Sequence, residues 1–294
     1  MNTISLHYNQ TTAELSPKGA QLISFRTDDQ REMIWQGAAE IWDQHAPVLF
    51  PVCGRVRNGH IIIRDKTYPM QMHGFAHTSD FSIGTKGDDH VEFVLCSNET
   101  SKKMYPFDFM LHIIYQLKDR GWTTRFIIKN LSSDPMPVCL GGHPGFICPM
   151  EKNSVFNDYC IIFPLKEKQA VLSVLQNGLV GEAEPFAKLA SGRVISLDHA
   201  YFDKKDTLIF SGINSRHVFL IHKTTGHGIC LSFPFMETLS VWTSPWMHAD
   251  YICLEPWHGL PGRESDGDSF EEKPFITMIG PNETYSTWFT AGCI

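Results

Sequence analysis

A histidine and a glutamate stand at the ends of two apolar segments that are far apart in the sequence. His143 lies in LGGHPGF (140–146), and Glu255 follows the apolar run of YICLEPW (251–257). Glycine permits unusual backbone angles and proline fixes φ, so the imidazole is presented from a stiff, irregular turn. A purely structural turn, whose histidine hydrogen-bonds the backbone, is the alternative interpretation. One acid and one base on separate predicted strands indicate proton-transfer chemistry.

Two further segments place polar side chains where predicted strands end. Arg55 lies in PVCGRVRNG (51–59). Its five donors suit neutral, oxygen-rich ligands as well as anions, although a surface ion pair is the commoner role of a single arginine. His73 and His77 lie four residues apart in MHGFAH (72–77). On a helix that spacing would suggest a metal, but a glycine between them and a proline before them indicate a loop, so no metal site is predicted.

The segment SLDHAYFDKKD (196–206) offers three carboxylates to a ligand. These are Asp198, Asp203 and Asp206, and the residues by themselves do not choose among them.

Composition excludes several classes of protein. The 294 residues are 43% hydrophobic and 19% charged, which is typical of a globular protein with a substantial core and excludes disordered and fibrous chains. A formal charge of −7 without a basic cluster argues against nucleic-acid binding and mildly disfavours anionic partners.

The eight cysteines are scattered, mostly in apolar runs, with no Cys-x-x-Cys pair. This pattern favours buried thiols over a zinc site or a disulfide framework. The N-terminal segment lacks a basic stretch followed by an apolar core, and no window approaches the length needed to cross a bilayer. We therefore expect a cytoplasmic protein that binds no membrane.

Short runs with β-type patterning, separated by turn residues, dominate the chain. The odd positions of 109–117 are all apolar, a turn follows at 118–121, and 122–131 is again rich in β-formers, so a long hairpin is predicted. The Asn58-Gly59 pair before residues 61–63 predicts another hairpin turn. Further strands are predicted at 4–8, 12–15, 21–26, 159–163, 207–210, 217–222, 228–233, 251–254, 275–279 and 284–290.

Helical periodicity is scarce, with one or two turns predicted at 38–44 and at 185–190. The polar tract 263–273 is most simply a solvated loop between strands. No βαβ rhythm, phosphate-binding loop or internal repeat is present. We therefore predict an all-β protein, a large antiparallel β-sandwich that occupies residues 1–294 as one domain.

The ordered motifs of the chain resemble the aldose 1-epimerases (galactose mutarotases), and most closely their LacX-like branch. The resemblance covers essentially the whole chain. It is carried by Gly-Arg-Val, His-Gly-Phe-Ala, Leu-Gly-Gly-His-Pro-Gly-Phe, Phe-x-x-x-Asp-x-Leu-Ile-Phe (202–210) and Leu-Glu-Pro-Trp-x-Gly. It implies the galactose mutarotase-like supersandwich fold and a cofactor-free, metal-free isomerase that interconverts the α and β anomers of an aldose.

Residue by residue, the resemblance implies that His143 is the general acid and Glu255 the general base. Arg55 and His73 would hold sugar oxygens. The sugar-binding aspartate stays open, because Asp206 fits the branch pattern whereas Asp198, followed by a histidine, echoes the galactose mutarotases proper.

One of three tryptophans near the proposed base is expected to contact the sugar, although core packing is the commoner role of each. They are Trp242, Trp246 and Trp257.

The substrate expected from the sequence is a free hexose such as glucose or galactose, bound by a monomer or a homodimer. A hexose 6-phosphate would need cations that Arg55, Arg57 and Arg64 could supply, but the net acidity favours a neutral sugar. His77 stands where related sequences often have arginine, so a positive charge is lost there unless the imidazole is protonated. A non-catalytic sugar-binding or sensing protein on the same fold is the further alternative.

Overall fold

The chain is almost entirely β-structure in the computed structural model, which describes residues 3–267 and 269–294. In these residues the strands are β1 (Ile4–Tyr8), β2 (Thr11–Ser16), β3 (Gln21–Arg26), β4 (Val48–Leu49), β5 (His60–Ile63), β6 (Lys66–Pro69), β7 (Ser82–Lys86), β8 (His90–Cys96), β9 (Phe109–Lys118), β10 (Gly121–Asn130), β11 (Met136–Val138), β12 (Leu140–Gly142), β13 (Gly145–Ile147), β14 (Tyr159–Ile162), β15 (Ala170–Val171), β16 (Glu184–Pro185), β17 (Leu189–Ala190), β18 (Val194–Ser196), β19 (Thr207–Ser211), β20 (His217–His222), β21 (Gly228–Ser232), β22 (Thr238–Trp242), β23 (Tyr251–His258), β24 (Thr277–Ile279) and β25 (Thr284–Cys293).

Helices are few and short. They are α1 (Glu99–Lys102) and α2 (His199–Lys205), with single 3₁₀ turns at Arg57–Gly59, Ala76–Thr78, Phe156–Asp158 and Phe270–Glu272. No helix in the described part of the chain is long and apolar enough to cross a membrane.

Two large sheets form the body of the molecule. The larger has ten strands in the order β17, β18, β14, β20, β21, β25, β10, β9, β8, β7. The other has the order β19, β22, β23, β12, β4, with β13 also paired to β23. A sheet of β1 to β3 and the pairs β5–β6, β11–β24 and β15–β16 flank them. The pairings between these strands are antiparallel, so the predicted all-β, antiparallel architecture is confirmed.

The core lies where the two large sheets face one another. Trp122 of β10 packs against Phe146 of β13 with ring centroids 6.2 Å apart. Phe163, just after β14, packs against Phe210 of β19 at 5.2 Å. Fully burying a large apolar side chain is worth about 1.5–3 kcal/mol, so such contacts are a main source of the attraction between the sheets.

The long hairpin predicted at residues 109–131 is confirmed. Along β9 buried side chains alternate with half-buried ones up to the exposed Lys118, as the apolar odd positions predict. Lys118 pairs with Gly121, so the turn is the two residues between them, and Arg120 has a φ of 56°. Strands are also present at all the other predicted positions, with ends shifted by a few residues.

The prediction of a hairpin turn at Asn58-Gly59 is wrong. Both residues do have positive φ, 55° and 69°, but they belong to a 3₁₀ turn that leads into β5. The hairpin turn is Arg64-Asp65, between β5 and β6, where φ is 49° and 60°. The sequence signal for positive φ was correct, but the strand that should precede Asn58 does not form.

Both predicted helical segments are also wrong. Residues 38–44 form a tight turn closed by an antiparallel bridge between Ala38 and Trp42. Residues 185–190 contain the last residue of β16 and all of β17, joined by a turn. Short stretches with helix-like apolar spacing gain little as isolated helices, because helix nucleation is costly, and pairing with neighbouring strands prevails here.

The tract 263–273 is less solvated than predicted, as far as it is described; Asp268 lies outside the described residues. Phe270 is buried in the core, and Lys273 forms a largely buried ion pair with Asp266 at 3.6 Å. For the cysteines, burial is confirmed at five of the eight: Cys53, Cys139, Cys148, Cys160 and Cys253.

Candidate active site

The six-stranded sheet brings the predicted acid and base together through its register. Gly141 of β12 pairs with Trp257 of β23, and Gly145 of β13 pairs with Cys253. Continuing either register by two residues places His143 directly opposite Glu255. On the other side of β23, Ser240 of β22 pairs with Glu255. Ser240, Glu255 and His143 therefore form a row across three neighbouring strands.

The side chains of this row are in contact. The His143 Nε2 atom lies 3.2 Å from Glu255 Oε2, and the Ser240 hydroxyl donates to Glu255 Oε1 at 3.3 Å. The two atoms are close but are not aligned for a hydrogen bond, and Glu255 Oε2 has no hydrogen-bond partner. Glu255 is 1% exposed and His143 is 7% exposed. The pair is therefore shielded from bulk water on nearly every side.

Glycine is required on both sides of His143 because neighbouring groups approach the backbone closely. A Cβ on Gly141 would lie 2.4 Å from Trp257 Cδ1 and 2.6 Å from the Pro256 carbonyl oxygen. A Cβ on Gly145 would lie 2.7 Å from Trp42 Cζ3. The His143 N–H donates to the Pro47 carbonyl at 3.0 Å, which anchors the turn from the β4 side.

Burial shifts the pKa of both members of the pair in opposite directions. It raises the pKa of Glu255 well above its usual value; the Ser240 hydrogen bond opposes this shift, and the Asp206 carboxylate adds to it. Burial lowers the pKa of His143 to about 3, opposed by a backbone hydrogen bond and reinforced by His77. Both shifts have the same physical cause, because burial disfavours the charged form of each group.

The pair lies in the wall of a cleft of about 1010 Å³. A cleft of this size holds a small-molecule ligand comfortably. All five residues proposed from the sequence line it: Arg55, His73, His143, Asp206 and Glu255.

His73 is held in a defined orientation next to His143. Its φ is 64°, and its Nδ1 accepts a hydrogen bond from the Gly54 N–H at 3.0 Å. The two imidazole rings are perpendicular, with centroids 5.3 Å apart. Burial, together with the charges of His143, His77 and Arg55, lowers the pKa of His73 well below its usual value. A neutral His73 whose Nδ1 is an acceptor carries its proton on Nε2, so it can donate there.

Arg55 is exposed at the side of the cleft, where its guanidinium lies against Gly178. The other two arginines considered for a charged substrate are placed differently. Arg64 forms an ion pair with Asp134 at 2.8 Å, and neither it nor Arg57 is among the described residues that line the cleft. His77 does line the cleft, and burial lowers the pKa of its imidazole, which favours the neutral form.

The two candidate aspartates lie at opposite ends of α2. Asp198 caps the N-terminus, where its carboxylate accepts the Ala200 N–H at 3.0 Å, and it does not line the cleft. Asp206 ends the helix with a φ of 61° and accepts the Thr207 hydroxyl at 2.6 Å. Asp206 is half-buried in the cleft wall, close enough to Glu255 to raise its pKa. Asp203 is also half-buried and lines the cleft, where its carboxylate accepts the Trp246 N–H at 2.6 Å.

The three predicted tryptophans all line the cleft but differ in position. Trp257 is buried, and Trp246 is 76% exposed at the rim. Trp242 is half-buried, with its ring centroid 5.7 Å from that of His143. Trp42, which the sequence analysis missed, is closer still, at 5.0 Å. The sequence predicts its segment as helical, and nothing in that pattern marks Trp42 as part of a site.

Ser240 was missed as well, because no strand was predicted at 238–242. The signal was present, because Thr, Val and Trp in this segment are residue types that favour strands, and all five residues are buried or half-buried. Cys253 is a further neighbour, since its sulfur, a His143 ring nitrogen and a Glu255 oxygen all lie within 4.8 Å of one another. These three are the described residues at the cleft that could together ligate a metal.

Comparison with known proteins gives a consistent result. The family model for aldose 1-epimerase matches residues 2–273. The plasmid and chromosomal LacX proteins of Lactococcus lactis subsp. lactis are each 29% identical over 289 residues, with 96% of both chains covered.

Solved structures are similar along the whole chain. A galactose mutarotase related enzyme from Lactobacillus acidophilus has a TM-score of 0.92 at 25% identity, over 100% of this chain and 97% of that one. A galactose mutarotase-like protein from Lactobacillus casei ATCC 334 has a TM-score of 0.90 at 26% identity, with both chains fully covered. The predicted galactose mutarotase-like sandwich and the LacX-like resemblance are thereby confirmed. The chain belongs to the aldose 1-epimerase family.

Proposed function

We propose that this protein is an aldose 1-epimerase that interconverts the α and β anomers of a free hexose such as glucose or galactose. The observation that carries the proposal is the buried contact of 3.2 Å between His143 Nε2 and Glu255 Oε2 in the wall of the cleft. The ring oxygen and the anomeric hydroxyl of a pyranose are bonded to the same carbon. Two neighbouring groups can therefore serve them at the same time, each within hydrogen-bond reach of its own oxygen.

The reaction transfers two protons and breaks one ring bond. Glu255, as a carboxylate, takes the proton of the anomeric hydroxyl, whose oxygen becomes the carbonyl oxygen of the open chain. The C1–O5 bond breaks, its electron pair goes to O5, and His143 donates the proton that O5 needs. Rotation about C1–C2 and the reverse transfers close the ring on the other face. Each positioned proton transfer typically contributes about 10²–10⁴ in rate.

The protonation states of His143 and Glu255 are compatible with this cycle. Ring opening starts from the carboxylate and imidazolium and ends with the carboxylic acid and neutral imidazole. The total number of protons on the pair is therefore the same before and after ring opening. Burial favours the neutral arrangement in the free protein. A bound sugar that donates a hydrogen bond to the carboxylate and accepts one from the imidazolium would stabilise the charged arrangement from which ring opening begins.

Other residues of the cleft hold the sugar in this scheme. Arg55 and the Nε2–H of His73 donate to sugar oxygens, and the Asp206 carboxylate accepts from a sugar hydroxyl. Trp242 offers an aromatic face beside His143 for the apolar face of the ring. No step requires a cofactor.

A neutral substrate is favoured over a hexose 6-phosphate. Of the three arginines considered, Arg55 alone lines the described cleft, joined by Lys204 at its outer part. Two flexible cations can receive a phosphate, so phosphorylated hexoses remain the second candidate substrates. A binding protein without catalysis would have no use for an acid and a base buried side by side.

Polarimetry tests the proposal. The decay of freshly dissolved α-D-glucose and α-D-galactose to anomeric equilibrium should be faster with the protein than without it. Glu255→Gln should remove the acceleration while the protein stays folded. No acceleration of either sugar, or of glucose 6-phosphate in a parallel assay, would overturn the catalytic proposal.

A further inference from the structure

Three different metal-ligating side chains come together at the wall of the cleft that holds His143 and Glu255. His143, Cys253 and Glu255 each present one ligand atom, and these atoms lie within 4.8 Å of one another. Cys253 and Glu255 are two residues apart on β23, so their side chains project from the same face of the sheet. The pairing of β13 with Cys253 brings the preceding turn, and with it His143, to the same place.

The thiol reaches the cluster from behind the cleft wall. Cys253 is fully buried in a small apolar cluster with Tyr251, against which Trp42 and Trp242 pack. It is not one of the residues lining the cleft, whereas His143 and Glu255 are. An ion held by all three would therefore lie at this wall. The sulfur would bind it from the protein interior, and its remaining coordination position would face the open cleft.

A buried atom without a hydrogen-bond partner points into this cluster. Glu255 Oε2 makes no hydrogen bond, although the side chain is almost completely buried and its other oxygen accepts from Ser240. It is also the oxygen that lies 3.2 Å from His143 Nε2. Leaving a buried polar atom unsatisfied is destabilising, and a cation bonded to Oε2 would remove that penalty.

We propose that His143, Cys253 and Glu255 bind a thiophilic divalent cation such as Zn²⁺, and that this cation blocks the site. One nitrogen, one sulfur and one oxygen ligand with a fourth position open is a donor set that suits zinc. Magnesium and calcium prefer six or more oxygen ligands, which the cluster does not offer.

The distances require only a small adjustment. Tetrahedral zinc with the usual bond lengths of about 2.0–2.3 Å holds its ligand atoms roughly 3.3–3.6 Å apart. The imidazole and carboxylate already meet this spacing at 3.2 Å. Closing the widest separation in the cluster, 4.8 Å at most, needs a movement of roughly an ångström, within the range of a cysteine side-chain rotation.

Binding would occupy both groups to which proton transfer is assigned. The cation should thus act as an inhibitor that competes with the sugar. This consequence rests on the proposed function, whereas binding itself does not.

The test uses the full-length protein with Zn²⁺ and Cd²⁺ as probes. Equilibrium dialysis should show one zinc ion per chain, and cadmium should produce the ultraviolet charge-transfer band of a thiolate ligand. Cys253→Ser should abolish the band and weaken binding by at least about 10–100-fold, because even the outer-shell partners of metal sites contribute this much. Cys230→Ser, a half-buried thiol on β21 in the other large sheet, is the matched control and should change neither.

Activity provides the second readout. If the protein catalyses mutarotation, zinc should raise the apparent KM for the sugar. Relative to its own metal-free rate, Cys253→Ser should tolerate at least tenfold more zinc. A cadmium band or zinc affinity that is unchanged in Cys253→Ser and in Cys253→Ala would overturn the proposed site. Because the binding measurements need no catalysis, an inactive protein that binds zinc through Cys253 would contradict only the proposed function.

Discussion

Asp206 and Asp198 provide a sharp test of how the cleft recognises a sugar, because they are the same residue type at the two ends of one short helix. Asp206→Asn should weaken sugar binding, whereas Asp198→Asn should not. Asparagine keeps the size of the side chain and tolerates the positive φ of 61° at position 206. At position 198 it caps a helix as well as aspartate does, so neither substitution should unfold the protein.

The size of the effect follows from the charge that is lost. A hydrogen bond to a charged group contributes about 1.5–3 kcal/mol and a neutral one about 0.5–1.5 kcal/mol. Replacing the Asp206 carboxylate by an amide should thus cost about 1–1.5 kcal/mol, which raises KM by about 5- to 12-fold.

The assay is the initial rate of mutarotation over a range of sugar concentrations, with thermal unfolding as the check on folding. A higher KM in Asp198→Asn, with Asp206→Asn unchanged, would refute the assignment. Equal effects in both variants would show that the cleft does not select between them.

Three further predictions concern the surroundings of the His143–Glu255 pair (the dyad). Trp242→Ala should weaken sugar binding by about 2- to 12-fold in a calorimetric titration, the loss of one aromatic contact, and Trp246→Ala at the rim should leave it unchanged. Equal losses would place the sugar elsewhere. Gly141→Ala should lower stability by at least about 1–3 kcal/mol in thermal unfolding, since the added Cβ meets a backbone carbonyl oxygen at 2.6 Å; an unchanged Tm would contradict this packing. The His143 ring should stay neutral from about pH 5 to 8, because its pKa is lowered to about 3 from an ordinary value near 6.5. A ¹⁵N NMR titration of the free protein, assigned with His143→Gln, would refute this shift if the ring titrated near pH 6.5.

The sequence was most informative where local chemistry decides structure. The glycine and proline residues around His143 predict a stiff turn. The alternation of apolar and other residues along 109–117 predicts a strand with one buried face. Both features depend on a few neighbouring residues. For the same reason Arg120, between β9 and β10, falls in the predicted turn.

The pairing register between strands that are distant in the sequence could not be predicted from neighbouring residues. His143 lies opposite Glu255 because β12 and β13, each three residues long, pair with the two halves of β23. Such pairing depends on the whole sheet, and a shift of one residue would turn one of the side chains away from the cleft. The choice between Asp198 and Asp206 was hidden for a similar reason, because it depends on which end of α2 meets the cleft.

Trp42 shows how a wrong local assignment conceals a functional neighbour. The apolar spacing of 38–44 resembles one helical turn, but the chain there forms a tight turn that lays the Trp42 ring beside His143. For Cys253 the sequence predicts only a buried thiol. That description is correct and still says nothing of the imidazole and carboxylate beside it.

The most direct test of the account is a double-mutant cycle on the dyad, with polarimetric kcat/KM for the preferred hexose measured in wild type, His143→Gln, Glu255→Gln and the double variant. Because the two groups share one proton and act on the same carbon, each single change should lower kcat/KM by at least about 10²–10⁴. The double variant should then be little worse than either single one. Single variants that keep most of the activity, or losses that multiply in the double variant as for independent sites, would contradict the claim that His143 and Glu255 work as one acid–base pair.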